Sequence, residues 1–279
     1  MPPSSTDRRT PSAQKFLEKM LAEGLISTED SVLTVCASHF EHGLFQRLGF
    51  KDVVITNLDD RVQPGTHAPY RWDRQDAMSL SYPDKSFDWC FVHAGLHHCD
   101  SPHRALLEIY RVAKKGLVAM EARDSLAMRA AIKLGLTSEY ELPAVVGNHL
   151  KSGGVNNTEV PNFIYRWTER EFIKTISSYD PTGKHFYRFY YGLTLPFESA
   201  AMQKNPLRKW ALHAIHPFFT IATHLFPKQM NQFAMVAIKP RTPTELWPWL
   251  ELKGSTVALN KAYVEKVYHP REARAGTAG

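Results

Sequence analysis

Residues 87–122 read FDWCFVHAGLHHCDSPHRALLEIYRVAKKGLVAMEA. The flanks, FDWCFVHAG at 87–95 and KKGLVAMEA at 114–122, have the length and near-continuous apolar character of strands buried on both faces. Between them, Ser101 suits a helix N-cap and Pro102 the first helical position, while Leu106, Ile109 and Ala113 fall on one helical face. Strand, helix and strand in so short a span require a parallel pair with a crossover helix. Working outward, VLTVCAS at 32–38, EHGLFQRLG at 41–49 and DVVITNLD at 52–59 repeat the unit on the N-terminal side. The predicted fold is α/β, a doubly wound and mostly parallel sheet with helices on both faces.

Further signals extend this core. Phe16, Leu17, Met20, Leu21 and Leu25 share a helical face within 14–25, and a helix is expected near 126–136. TEREFIKTISS at 168–178 opens at a Thr168/Glu171 capping box, HFYRFYYG at 185–192 is an aromatic strand, and QFAMVAIKP at 232–240 is the last clear strand. The organisation read from these is a leader and N-terminal helix over 1–30, one domain over 31–240, and a docked tail over 241–279. The domain carries a polar lid at 147–167 and a helical insert at 198–228.

Composition removes several function classes. Three cysteines, Cys36, Cys90 and Cys99, without CxxC spacing argue against a disulfide framework and point to a reducing, cytoplasmic compartment. The most apolar stretch, HAIHPFFTIATHLF at 213–226, is interrupted by His216, Pro217 and His224, so no membrane span is expected. A net charge of +6 without a dense basic block gives no reason to expect a nucleic-acid partner.

In open α/β sheets a ligand sits beyond the carboxyl ends of the strands, where strand order reverses. That rule nominates the turn Ser38 to His42, Asn57 and Asp59 after the second strand, the segment Asp76 to Met78, and His93 to His98. A carboxylate after the second strand suits both hydroxyls of a ribose. An Asp beside a small residue, as in Asp76-Ala77, suits an adenine amino group and leaves room for the flat ring.

The stretch from Asp76 to Glu121 resembles the class I S-adenosylmethionine-dependent methyltransferases in its acidic, aromatic, Leu-His-His and Arg-Val positions, and the likeness extends to Val32–Asp60 and QFAMVAIKP. It implies a Rossmann-like sheet with an antiparallel last strand, S-adenosylmethionine as cofactor and S-adenosylhomocysteine as product. It also implies a cofactor site of Cys36, Ala37, Ser38, Glu41, Asn57, Asp59, Asp76, Ala77, Met78 and His93. The chain departs from the family in its first turn, where glycines are replaced by Cys36-Ala37-Ser38-His39-Phe40-Glu41-His42 and the usual acid of the first strand is Thr34. Either Ser38 and Glu41 meet the cofactor's polar end along an altered path, or the site is degenerate.

Methyl transfer to a hydroxyl needs alignment and a base. His93 is the first candidate, followed by His97 and Glu121. The lid residues His149, Asn156, Asn157, Tyr165 and Arg166 both donate and accept hydrogen bonds, which suits a polar acceptor such as a sugar or glycan intermediate; a loop bonded to itself is the alternative. The insert, with Lys204, Arg208, Lys209 and Lys228 around Trp210, Phe218, Phe219 and Phe226, is either a helical cover on the sheet or a shallow interfacial helix at the inner face of a membrane. His39, His42, His93, His97, His98, His103 and His149 show no carboxylates at ligand spacing, so no metal is expected. The competing readings are a small natural-product or amine acceptor, and a non-catalytic scaffold.

Overall fold

A computed structural model of the chain describes residues 10–63, 65–194, 206–242 and 244–268. Its centre is a seven-stranded sheet of β1 (Ser31–Val35), β2 (Asp52–Asn57), β3 (Arg71–Arg74), β4 (Phe87–His93), β5 (Ala113–Ala122), β6 (Phe186–Gly192) and β7 (Gln232–Ile238). The order is β3-β2-β1-β4-β5-β7-β6. β3, β2, β1, β4 and β5 run parallel, and β7 is antiparallel to both β5 and β6. Strand order reverses between β1 and β4, the position at which such sheets place a ligand.

The two faces of the central strands explain their unbroken apolar runs. Leu33, Val35, Cys90, Val92, Leu117 and Ala119 face α3 (Pro102–Val112) and α6 (Glu169–Tyr179), whose Leu106, Ile109, Phe172 and Ile176 are buried with them. Val32, Ile55, Trp89, Phe91, Val118 and Met120 face α1 (Thr10–Ala22) and α2 (His39–Arg47), through Phe16, Leu17, Met20, Leu44 and Phe45. Alternate residues thus enter opposite cores, and both faces of the central strands are largely apolar.

Several boundaries differ from the sequence reading. Residues 10–13, which precede the helix expected from Gln14, form the first turn of α1, and the rest of the leader lies outside the described residues. Ser101 precedes α3 but makes no side-chain cap, so Pro102 alone marks that start, whereas Thr168 does accept from Glu171 N–H at 3.2 Å. β3 has no apolar signal because RWDR is an edge strand with no fully buried residue. The tail is more structured than a docked coil: β8 (Leu250–Lys253) and β9 (Thr256–Leu259) form a hairpin around Gly254 at φ +64°, followed by Lys261–Tyr268 as a helix. It joins the domain where Lys184 N–H donates to Glu245 O at 2.8 Å and Lys184 lies over Trp247.

Two short helices, α4 (Leu126–Lys133) and α5 (Leu142–Gly147), stand beyond the carboxyl end of β5, and α7 (Pro206–Leu225) fills most of the predicted insert. On α7 and just after it, Trp210, Ile221, Leu225 and Phe226 are exposed and Thr223 is buried. Lys204 and the side chains of Arg208, Lys209, Phe218 and Phe219 lie outside the described residues, as does the end of the tail. No described helix is long and apolar enough to cross a membrane.

Gly116 fixes the closest approach in the sheet. A Cβ there would stand 2.3 Å from Ala237 O and 2.7 Å from Trp89 Cζ3, one of them backbone. Gly116→Ala is expected to lower stability by about 1–3 kcal/mol through overpacking, measured as a lower denaturation midpoint at unchanged slope.

Candidate functional site

The strand ends at the reversal point are two left-handed turns locked together. Cys36 leaves β1 at φ +53° and Ala94 leaves β4 at φ +47°, a conformation that costs a non-glycine residue about 1 kcal/mol. Each is anchored from a neighbouring strand: Ala37 N–H donates to Thr56 O at 2.9 Å, and Ala94 N–H to Met120 O at 2.8 Å. Gly95 fits directly beneath Cys36; a Cβ on it would come within 2.5 Å of Cys36 Cβ. The Cys36 thiol meets Cys99, and that hydrogen bond together with burial pushes its ionisation well up. The turn therefore keeps a glycine-like backbone path without glycine.

After that turn, Ser38 caps α2. Its N–H and Oγ both donate to Glu41 Oε2, at 2.7 and 2.9 Å, and its Oγ accepts from Phe40 N–H in a closed capping box. The other oxygen, Glu41 Oε1, lies 3.0 Å from His93 Nδ1, with both side chains at least nine-tenths buried. The Phe40 ring lies on the His93 imidazole at a centroid distance of 4.8 Å. Ser38 and Glu41, expected at the cofactor's polar end, are thus tied first to each other and to His93.

The next two positions differ in readiness. Asn57 spends its amide on the crevice itself, Nδ2 donating to Ala37 O at 2.8 Å and Oδ1 accepting from Leu58 N–H at 2.6 Å. Asp59 is gripped by Arg61 through two side-chain hydrogen bonds of 2.7 and 2.8 Å, and the Arg61 guanidinium holds its carboxyl below the usual range. Asp76 uses Oδ1 to accept from Met78 N–H at 2.9 Å, which leaves Oδ2 and the Ala77 amide for the edge of a ring. Ala77 and Met78 are buried beside them as an apolar floor.

Beyond β4, the Leu-His-His turn is held by Glu121 at the end of β5. Glu121 Oε1 accepts from Gly95 and Leu96 N–H at 2.9 and 2.7 Å, and Oε2 lies 2.6 Å from His97 Nδ1. With both oxygens committed, Glu121 is a positioning residue, a correction to its expected place among the bases. His97 Nε2 reaches Glu141 Oε2 at 3.1 Å, and His98 Nε2 lies 3.3 Å from the same oxygen. Burial opposes a charged His97, but the two carboxylates outweigh it and hold the imidazole up to about 9.

These groups form one wall of a cavity of about 200 Å³. His93, His97, Glu141, Arg166, Asn231 and Gln232 supply its polar lining, and Phe16, Met128, Ile164 and Phe233 its apolar lining. Of the five lid residues expected to meet the acceptor, Arg166 is the one that lines it. Asn156 clamps Asp100, Asn157 accepts from Gly153 N–H, Tyr165 donates to Glu171, and His149 is exposed at φ +56°. Asn157 thus bonds within the loop, while Asn156 and Tyr165 tie it to Asp100 and Glu171 outside it. Sequence reasoning missed Glu141, Asn231 and the α1 residues Ser12 and Phe16, and the helical face of α1 was the only available signal for the last of these.

Residues 36–120, the whole crevice from the β1 turn through β4 and most of β5, match the family described as "Methyltransferase domain". The likeness to a methyltransferase domain, of the class I type, is carried by that stretch. S-adenosylmethionine is the cofactor of that class. Solved structures that resemble the chain do so at low sequence identity. A magnesium protoporphyrin IX methyltransferase from Synechocystis with bound S-adenosylhomocysteine is 12% identical over 84% of this chain and 85% of its own, with a TM-score of 0.47. An S-adenosylmethionine-dependent methyltransferase from Methanosarcina mazei is 15% identical over 79% and 97%, at 0.44. The [4+2]-cyclase SpnF is 14% identical over 86% and 85%, at 0.49. No curated protein matches the chain.

The residues at the crevice fit S-adenosylmethionine. The Cys36 turn is left-handed without a glycine, and the second oxygen of Asp76, with the Ala77 amide over an apolar floor, suits an adenine edge. Gly95→Ala is expected to force Cys36 out of its turn, lowering stability by about 1–3 kcal/mol and weakening S-adenosylmethionine binding. Denaturant unfolding and calorimetric titration of the same variant check both effects.

Proposed function

We propose that this protein is an S-adenosylmethionine-dependent methyltransferase that O-methylates a polar, hydroxylated acceptor, a sugar or glycan intermediate, bound in the cavity beside His93. The observation that carries the reading is the buried Glu41–His93 pair, of which His93 lines the cavity. S-adenosylmethionine, when bound, supplies an electrophilic methyl group and departs as S-adenosylhomocysteine. Asp76, Ala77 and Met78 would hold its adenine, and the Cys36–Ser38 turn its amino-acid end.

With Nδ1 facing Glu41, the other ring nitrogen of His93 is the one that takes the acceptor's hydroxyl proton as the new O–C bond forms. Glu41 holds the ring's tautomer and offsets the positive charge that the proton brings, and Phe40 stacked on the imidazole limits its rotation. Arg166, Asn231, Gln232 and Glu141 give the cavity donors and acceptors for an acceptor's hydroxyl groups. The apolar half, Phe16, Met128, Ile164 and Phe233, supports a second reading, a small natural-product acceptor with a hydrophobic body.

His93→Ala is expected to reduce turnover by about 10²–10⁴-fold while S-adenosylmethionine affinity stays within about twofold. Asp76→Ala is expected to do the reverse, weakening calorimetric binding of both S-adenosylmethionine and S-adenosylhomocysteine. Equal losses of affinity and turnover in His93→Ala would remove it from the base role. Folded wild-type protein that binds neither compound, alone or with candidate acceptors, would favour a scaffold.

The exposed Trp210, Ile221, Leu225 and Phe226 support a further part of the proposal, shallow contact with a lipid surface that presents the acceptor. Co-sedimentation with anionic vesicles is expected and should fall in Trp210→Ala; equal sedimentation of both proteins would argue against it.

A further inference from the structure

The Leu-His-His turn and the start of α5 bring together two imidazoles and a carboxylate. We propose that His97, His98 and Glu141 bind a transition-metal dication, zinc in the first instance, at the wall of the acceptor cavity. Three features carry this, and none depends on the bound cofactor.

The first is spacing. One donor atom from each residue lies within 4.8 Å of the other two, and Glu141 Oε2 is 3.1 Å from His97 Nε2 and 3.3 Å from His98 Nε2. Ligands at ordinary zinc bond lengths of about 2.0–2.1 Å in a tetrahedron stand about 3.3 Å apart. Two edges of the coordination polyhedron are therefore already formed, and the third needs to close by no more than about 1.5 Å.

The second is the outer partner. A metal-bound histidine is normally held at its other nitrogen by a carboxylate or carbonyl, which fixes the tautomer and makes the ligating nitrogen more basic. His97 has that arrangement: Glu121 Oε2 sits 2.6 Å from Nδ1, and the side chain of Glu121 is fully buried. Because Glu121 also accepts from Gly95 and Leu96 N–H, it fixes the backbone that carries both histidines.

The third is chemistry and access. Two imidazoles and a carboxylate suit zinc and its first-row neighbours better than magnesium or calcium, which prefer all-oxygen sites. Side-chain accessibilities of 6%, 25% and 14% for His97, His98 and Glu141 shield the site without sealing it. His97 and Glu141 both line the cavity, so a coordination position not taken by protein adjoins the space assigned to the acceptor. An ion there would lower the pKa of a bound water or acceptor hydroxyl.

The test uses the full chain, stripped with a chelator and dialysed, then titrated with zinc by calorimetry and with cobalt by visible absorption. Saturable uptake of one ion per chain is expected, with cobalt giving the intense bands of a four-coordinate site. His98→Ala and Glu141→Gln should each weaken zinc binding at least tenfold, and Glu121→Gln by about 10–100-fold. The exposed His149→Ala should leave it unchanged. Thermal melting confirms that each variant folds, and the wild-type titration decides the question even where a variant does not. No saturable uptake, or uptake unaffected by His98→Ala and Glu141→Gln in folded protein, would overturn the proposal and leave the cluster as a histidine–carboxylate ion pair.

Discussion

The carboxylate of Glu121 is the fixed point of the crevice. Placing a charged group where no water reaches costs several kcal/mol, and such a group persists only when its oxygens are fully supplied with donors. Here the donors are two consecutive backbone N–H groups and an imidazole. Each is a charge-assisted hydrogen bond, so the turn that supplies them has little freedom to adopt another shape. That turn sets Gly95 beneath Cys36, and through Cys36 it sets the path of the chain out of β1. One buried charge at the end of β5 thereby coordinates the ends of β4 and β1, the two strands between which the sheet reverses.

Much of the fold was legible because each central strand buries both faces and so reads as an unbroken apolar run. β3 escaped because an edge strand of RWDR has no such constraint, and the tail hairpin because four-residue strands leave too short a pattern. The site divides in the same way. Asp76-Ala77 and His93 were legible from their position at strand ends, which topology alone supplies. Ser38 and Glu41 were legible as polar residues of the first turn, but their mutual bonds were not: a capping box and a ligand contact call for the same residue types. Glu141 had no legible signal, since its partner His97 lies 44 residues away and only the folded lid joins them.

The first turn shows how a site can keep a backbone path while changing the residues on it. Glycine adopts a left-handed conformation freely, whereas Cys36 holds it at a cost of about 1 kcal/mol that neighbouring contacts must offset. Those contacts are visible in Gly95 below and in the hydrogen bonds from β2 and β5. Gly95 of the β4 turn makes the room that Cys36 needs. Side chains of the first turn then line the crevice: Phe40 lies over His93, and Glu41 orients it.

The wall that α1 contributes ties the cavity to distant parts of the chain. Ser12, Ala13 and Phe16 line it opposite Asn231, Gln232 and Phe233 of the β7 region, and Tyr190 of β6 donates to Glu23 across 167 residues of sequence. During synthesis α1 therefore has no partner for its cavity-facing side until almost all of the described chain has been made. The crevice from β1 to β5 is drawn from one contiguous stretch of sequence, whereas the cavity beside it closes only where the two ends of the described chain meet.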